Sequence, residues 1–359
     1  MRSAYGIDNK SLEAVPEEVL FSLVSGFNVY VLLPDQTEFA FGGRRQRLVK
    51  HVQTGDLYYA VPVPPWGNDG SRSSFGGWIP LKEVEERWVP LAKRPMPRSR
   101  FVWPIDVATN KGEWSYLVFP LDRDVARYQP LSNLLVNWTG GMPMAAFGEE
   151  AARQRALRLA VATSLISSWQ FLNSTGILYF GFDPSRMYYD ANGSVKFGFG
   201  LSTAYCGAGE SGSIDPEKRV PIIMVGEHDF GLSLDYLDPR AYQLASADYK
   251  IGTTIELPAY TDLFARRAML FRLLVGRLPY YGPIMLPETN GNPAEHRRWL
   301  QLYQKNPVFI FDPDDDSNRV GGENGFAGDE IFEENWLAIP EAIREDLRSY
   351  LERPPLPLE

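Results

Sequence analysis

The chain has 359 residues, enough to bury a sizeable core, and its 44% hydrophobic and 23% charged content is ordinary for a folded protein. The net charge of -9 gives no basic footprint, so we expect no nucleic-acid partner. One cysteine, Cys206, excludes an intrachain disulfide, and three separated histidines argue against a histidine metal site. The sequence has neither an apolar signal core nor a run of about 18 apolar residues, so we expect a cytoplasmic chain outside the membrane.

The first 120 residues are predicted to be rich in β-strands. A short helix is predicted over 16–27, because Pro16 and two acidic residues are typical of a helix N-terminus. A second helix is predicted over 80–93, with Pro90 breaking it near its end. Runs of β-branched and aromatic residues between turn signals predict the strands NVYVLLP, EFAFGG, RRQRLVKHV, LYYAVPV, FVWPIDVAT and EWSYLVFPL.

After Pro120 the pattern becomes helical. Apolar residues at i, i+3 and i+4 predict a long helix over 149–173. Two further helices are predicted over 261–276, where Gly276 is a suitable C-cap, and over 339–352. A polar, glycine-rich stretch over 313–330 predicts a loop.

The stretch GILYFGFDPSRMYYDANGSVKFGFG, residues 176–200, is the most informative part of the chain. It resembles the catalytic loop, β-hairpin and DFG turn of protein kinases. In that alignment the family's His-Arg-Asp, metal-binding Asn and DFG correspond to Tyr179, Phe180, Gly181, Arg186 and Gly198-Phe199-Gly200. The family's first Asp accepts the substrate proton and its second binds Mg²⁺, and glycine does neither. The resemblance therefore implies a kinase fold without catalysis.

Other kinase positions are also altered in this resemblance. The glycine-rich loop corresponds to Gly42 and Gly43, for which an ordinary hairpin turn is the alternative. The phosphate-pairing lysine corresponds to Pro62, which has no charge and no backbone N–H. Residues 119–121, including Phe119 and Leu121, correspond to the hinge. The acidic residues of the 80–93 helix have no such lysine to meet and are expected to form a solvated face.

Structural marks of the family are expected to remain. Asp262 corresponds to the buried aspartate that caps backbone N–H groups of the catalytic loop, and residues 276–280 resemble the end of the same helix. The segment NPVFIFDP with a following Ser-Asn pair resembles a group of bacterial kinase-like proteins. The resemblance implies, as partners, a von Willebrand A-type protein or a metal-dependent phosphatase. The three aspartates at 314–316 lack EF-hand spacing and are expected in a solvated loop.

The sequence thus predicts an α+β, bilobal protein-kinase-like fold with an N-terminal extension (1–34), a β-rich N-lobe (35–120) and a helical C-lobe (121–359). The expected function is that of a pseudokinase, a scaffold or allosteric regulator that binds protein, without metal or cofactor. The alternative is an ATP-using phospho- or nucleotidyl-transferase in which Lys50, Asp183 and Arg186 take rearranged roles. In that case Gly42, Gly43, Phe119 and Leu121 would line the nucleotide cleft.

Overall fold

The computed structural model describes most of the chain, with gaps. The described residues are 19–33, 47–63, 81–110, 114–122, 124–136, 149–180, 182–200, 202–207, 214–215, 217–223, 236, 238–239, 254–284, 303, 307–321 and 328–352. The predicted EFAFGG strand, with Gly42 and Gly43, lies outside them, as does Gly181.

A closed antiparallel barrel forms the first part of the fold. Its strands are β1 (Val19–Ser22), β2 (Val29–Leu32), β3 (Arg47–His51), β4 (Leu57–Val63), β5 (Asp106–Asn110) and β6 (Trp114–Pro120). They neighbour one another in the order β1-β2-β3-β4-β6-β5, and pairing of β1 with β5 closes the barrel. A hairpin turn at residues 52–56 joins β3 to β4.

Strand β1 corrects two expectations. The helix predicted over 16–27 is wrong at residues 19–22, because the backbone there pairs with β2 and β5. These hydrogen bonds between strands outweigh the local preference for a helix, and the pairing buries Leu20 and Ser22. The extension predicted over 1–34 therefore contains two strands of the same sheet as the predicted N-lobe.

A buried carboxyl group holds the closing strands together. The Asp106 carboxylate accepts hydrogen bonds from the Ser22 hydroxyl on β1, at 2.7 Å, and from the Tyr30 hydroxyl on β2, at 2.8 Å. Burial raises the pKa of Asp106, and these hydroxyl donors oppose the rise. Barrel closure therefore depends on polar contacts far apart in sequence.

The strands alternate between two apolar faces. The inward side chains form one core, made of Leu20, Tyr30, Leu32, Val49, Ala60, Ala108, Tyr116 and Val118. Outward side chains such as Val61, Val63 and Leu117 pack in a second core with helix α1 (Leu81–Ala92), which buries Val84, Trp88 and Leu91. The helix ends two residues after Pro90.

The rest of the chain is mainly helical. It contains α2 (Leu131–Val136), α3 (Glu149–Ser174), α4 (Tyr260–Val275), α5 (Glu330–Ala338) and α6 (Glu341–Leu351). The three helices predicted here are confirmed as α3, α4 and α6, and Gly276 ends α4 in the left-handed conformation, with φ 100°. Helix α5 was not predicted. Among the described residues, no helix is long and apolar enough to cross a membrane.

Short strands connect these helices. Strands β7 (Gln129–Pro130), β9 (Met187–Tyr189) and β10 (Val195–Phe197) form one small sheet. Strand β8 (Ile177–Tyr179) pairs with β11 (Thr203–Tyr205), and β12 (Arg219–Ile223) pairs with β13 (Thr254–Pro258). The predicted α+β order, strands first and helices after, is confirmed.

A substitution at Gly193, in the turn between β9 and β10, tests how closely this hairpin packs on α3. Gly193 has a φ of 79°, and a Cβ there would lie 2.5 Å from the Ala160 Cβ. We expect Gly193→Ala to lower the free energy of unfolding by about 2–4 kcal/mol, from backbone strain plus overpacking. Urea denaturation measures this loss.

Gly26→Ala is the matched control, because Gly26 also has a positive φ, of 71°, but a Cβ there meets nothing within 4 Å. Its loss should be limited to about 1–2 kcal/mol of backbone strain. Equal losses in the two variants would contradict the close approach of the hairpin to α3.

Candidate functional site

The candidate site is the loop between β8 and the Gly198-Phe199-Gly200 turn. Helix α4 contacts this loop and supports it. The Asp262 carboxylate on α4 accepts a hydrogen bond from the Tyr179 backbone N–H, at 3.0 Å. Asp262 has 0% exposure and forms an ion pair with Arg266, one helical turn further along. The sequence placed Asp262 at the family's loop-capping position, and the structure gives it that contact.

Burial dominates the electrostatics of this pair. Loss of solvent raises the pKa of Asp262 to about 6, although the Arg266 charge and the Tyr179 N–H oppose the rise. Burial likewise lowers the pKa of Arg266. Arg266 also donates to the Asn173 side-chain oxygen on α3, at 2.8 Å. The pair therefore joins α3, α4 and the loop.

Tyr179, at the family's His position, reaches the DFG-like turn. Its hydroxyl donates to the Gly198 carbonyl oxygen, at 2.7 Å, and its buried ring packs edge-on against Phe182 and Phe197. An uncharged aromatic side chain thus connects the loop to the turn.

Gly198, at the family's metal-binding Asp position, leaves no room for a side chain. Its N–H donates to the Arg186 carbonyl oxygen, at 2.7 Å. A Cβ at residue 198 would lie 2.6 Å from that same oxygen, which is closer than real Cβ atoms come. The backbone contact with Arg186 therefore requires glycine.

Asp183 and Arg186 contact each other and shape the loop. Asp183 caps a 3₁₀ turn (Pro184–Arg186), and its carboxylate accepts from the Ser185 N–H and hydroxyl, at 2.8 and 2.7 Å. The Arg186 Nε lies 3.3 Å from the same carboxylate, and Arg186 is buried. The carboxylate is therefore already engaged within its own turn.

No lysine lies on strand β4, where the family carries one. Pro62 pairs with Tyr116 and, by strand alternation, shares the inner barrel face with Ala60. Val61 and Val63, on the opposite face of the strand, belong to the core that also includes residues of helix α1. None of these three positions carries a charge.

Helix α1 buries apolar side chains and packs against β5 and β11. Val84 and Trp88 are fully buried, whereas Glu83 pairs with Arg87 of the same helix, at 2.9 Å. Among the described residues, no lysine–glutamate pair joins β4 to α1. The back of the site is hydrophobic core.

Lys50 is not brought to the loop. It is exposed on β3, opposite Leu57, and its Cε lies 3.7 Å from where a Cβ of Gly55 would be. This places Lys50 at the β3–β4 turn, while Asp183 and Arg186 contact each other in the loop.

The hinge-like residues pack against the turn. Phe119 is buried with its ring 6.1 Å from that of Phe199, and the Phe199 ring lies 4.9 Å from that of Trp103. Leu121 is half-buried. Aromatic side chains thus fill the space between β6 and the turn.

Lys196 is a site residue that sequence reasoning missed. It lies on β10, 4% exposed, and forms an ion pair with Asp122 just after β6. The Tyr128 ring lies 4.9 Å from its ammonium group. The available signal was a lysine inside the apolar strand VKF, directly before the turn.

The connection from α1 to β5 is bonded to β10. The Val102 N–H donates to the Phe197 carbonyl, and the Phe197 N–H donates to the Arg100 carbonyl, both at 2.8 Å. Phe101 packs on Phe171 of α3 and on Phe197. Together with the Lys196–Asp122 pair, these bonds link the barrel to the helical part.

The described parts of residues 201–257, which the kinase resemblance assigns to the activation loop, contact the loop after β8 and helix α1. Phe180, at the family's Arg position, is buried in a small core with Leu178, Cys206, Val220, Ile222, Leu257 and Ala259. Arg87 of α1 donates to the Pro221 carbonyl, at 2.7 Å, and to the Thr254 hydroxyl, at 3.1 Å. This hairpin is therefore held by apolar packing and one arginine.

The NPVFIFDP segment and its Asn pack beside the end of α4. The buried Asn318 amide donates to the Val308 and Tyr280 carbonyls, at 2.7 and 2.9 Å, and its oxygen accepts from Ile284 N–H. The aspartates at 314–316 are exposed, as expected for a solvated loop. The motif thus has a structural role in this chain.

Comparisons with known proteins give distant structural likenesses. A Toxoplasma gondii specific rhoptry antigen kinase domain has 13% identity, a TM-score of 0.40, and coverage of 93% of this chain and 86% of that chain. A rhoptry kinase from the same organism has 12% identity, a TM-score of 0.41, and coverage of 93% and 84%. No protein-family model and no curated protein matches the chain.

Introducing an aspartate at residue 198 tests whether the turn requires glycine. We expect Gly198→Asp to lower the free energy of unfolding by about 1–3 kcal/mol, because the added Cβ meets the Arg186 carbonyl. Gly198→Ala carries the same Cβ without the carboxylate and should lose a similar amount. Thermal and urea denaturation of both variants would measure this, and an undiminished stability of Gly198→Asp would contradict the steric requirement.

Removing the buried carboxylate tests the foundation of the loop. We expect Asp262→Ala to lower the free energy of unfolding by about 3–5 kcal/mol, because the substitution leaves the Arg266 charge buried without its partner. The double variant Asp262→Ala/Arg266→Met should be more stable than Asp262→Ala alone. Urea denaturation of the single and double variants gives both values.

Asp346→Ala is the control, since Asp346 is 58% exposed and pairs with the neighbouring Arg267. Its loss should stay below about 1 kcal/mol. If Asp262→Ala were no more costly than Asp346→Ala, Asp262 would not support the loop.

Proposed function

We propose that this chain is a bilobal, bacterial kinase-like protein that does not transfer phosphate and acts by binding another protein. The observation that carries the proposal is the backbone contact at Gly198, which excludes any side chain where kinases hold Mg²⁺. A chain that still used this position for catalysis would keep space for a carboxylate.

The apolar core that includes residues of β4 and α1 supports the same proposal. Phosphoryl transfer depends on positioning and on cations that neutralise developing charge. Val61, Val63 and Val84 are buried in this core, whereas kinases pair a lysine of the corresponding strand with a glutamate of the corresponding helix. Buried valines stabilise the fold but offer a nucleotide no charge.

The packing of Phe180 supports a regulatory or scaffolding role. Many kinase activation loops become ordered when a phosphate pairs with arginine. Here a buried phenylalanine holds the β12–β13 hairpin through apolar contacts instead. Such a hairpin presents a fixed surface without modification, which suits a protein that serves as a binding platform.

The proposed N-lobe takes in the barrel strands β1 to β6, and the proposed C-lobe begins at residue 121. Part of the proposal, carried by the sequence resemblance alone, is that the partner is a von Willebrand A-type protein or a metal-dependent phosphatase. We propose neither a metal nor a nucleotide as a required cofactor.

Calorimetric titration of ATP into the full chain, with and without Mg²⁺, tests the loss of catalysis. We expect no binding heat and no thermal shift in either condition, because the described site lacks a lysine on β4 and a carboxylate at residue 198. The same samples, incubated with labelled ATP, should transfer no phosphate.

Asp183→Asn separates the rival enzyme from the proposed function. If ATP binds in a Mg²⁺-dependent way and is turned over, and Asp183→Asn abolishes turnover, then the transferase using Lys50, Asp183 and Arg186 is correct instead. In that case the proposed loss of catalysis is refuted.

A further inference from the structure

Residues 93–100, which link α1 to β5, form a basic segment on an acidic protein. Their sequence, KRPMPRSR, contains Lys93, Arg94, Arg98 and Arg100 and no acidic residue, whereas the whole chain has 45 acidic and 36 basic residues. We call this segment the basic connection. Positive charge is therefore concentrated on one short loop.

The four cations of the basic connection have no carboxylate partners within the described part of the chain. Lys93 and Arg98 are exposed, and Arg94 and Arg100 are half-exposed. Ion pairs elsewhere engage neighbouring cations, including Lys82 with Glu86 and Arg87 with Glu83 on α1. Within the described residues, the four charges are therefore not neutralised by direct ion pairs.

Short hydrogen-bonded turns fix the shape of the basic connection. The Arg94 N–H donates to the Leu91 carbonyl, at 3.0 Å, and the Arg100 N–H donates to the Pro97 carbonyl, at 2.9 Å. Pro95 and Pro97 restrict the backbone further. A preordered surface loses little conformational entropy when it binds.

The basic connection borders β11. The Arg94 guanidinium stacks 3.5 Å from the centre of the Tyr205 ring, and the Lys218 ammonium donates to the carbonyl of the next residue, Cys206. Lys218 is exposed, and so are the acidic residues Asp215 and Glu217 beside it. The positive surface is therefore centred on the basic connection, which Arg94 joins to β11.

We propose that the basic connection is the docking surface for an acidic segment of a partner protein, an inference that rests on the proposed protein-binding function. Opposite charge across an interface speeds association and selects partners. A short acidic segment meets only this local surface. A nucleic-acid duplex carries a charge about every 1.7 Å along its length, so it would extend over the rest of a chain with net charge -9 and be repelled.

Docking there would also place the partner next to the DFG-like turn. The Arg100 carbonyl and Val102 N–H are bonded to Phe197, the residue directly before Gly198. A partner on this loop would therefore contact the segment that joins the barrel to the helical part. This location suits a scaffold whose bound partner senses the arrangement of both parts.

Fluorescence anisotropy of a labelled peptide of alternating Glu and Ser, titrated with the full chain at low salt, tests the proposal. We expect Lys93→Glu/Arg98→Glu to weaken binding at least about tenfold, since two attractive charges become repulsive. Raising the salt should weaken wild-type binding as well.

The matched control is Lys82→Glu/Arg155→Glu, which changes the net charge equally at exposed positions outside the basic connection. It should bind the peptide as the wild type does. Equal loss in both double variants, or none in Lys93→Glu/Arg98→Glu, overturns the docking surface. Circular dichroism and thermal melting establish that each variant is folded.

Two further probes separate other polyanions from an acidic protein segment. A short DNA duplex and vesicles containing phosphatidylglycerol should bind more weakly than the peptide. Tighter binding of either, lost in Lys93→Glu/Arg98→Glu, would overturn the assignment of an acidic protein partner. ATP turnover would refute only the loss of catalysis, whereas failure of the peptide titration would refute only this docking surface.

Discussion

The Asp262 carboxylate, buried between α4 and the loop after β8, is the contact on which the site depends. It accepts the Tyr179 N–H and pairs with Arg266, which in turn reaches Asn173 on α3. Burying a charge pair gains little net stability, but leaving one partner alone is costly. The ion pair therefore holds the loop in place, and removing only one of its two partners is destabilising.

From that fixed point, the rest of the site is organised by backbone contacts and aromatic rings. Tyr179 carries the connection to the Gly198 carbonyl, and Gly198 in turn binds the Arg186 carbonyl. Phe199 then packs between Trp103 and Phe119. The backbone contact that stabilises the turn is thus also the one that excludes a side chain at residue 198.

The sequence predicted the parts of the fold whose signals are local. Helix α3 has a long apolar period, and Asp262 lies at the start of an equally clear helix, so both could be recognised. Strand β1 could not, because its four residues become a strand only by pairing with β5 and by contact with Asp106, 84 residues away from Ser22. The face of β4 on which Pro62 lies could not be read from the sequence either, because a shift of one residue in a strand exchanges the two faces.

The polar contacts that the sequence did not reveal share one property, which is that they join segments distant in the chain. Lys196 reaches Asp122, and Arg87 reaches Pro221 and Thr254. Both cations therefore hold neighbouring structural elements together, where a kinase would direct cations towards phosphate. These polar groups are therefore committed to contacts within the protein, which fix the relative positions of the segments they join.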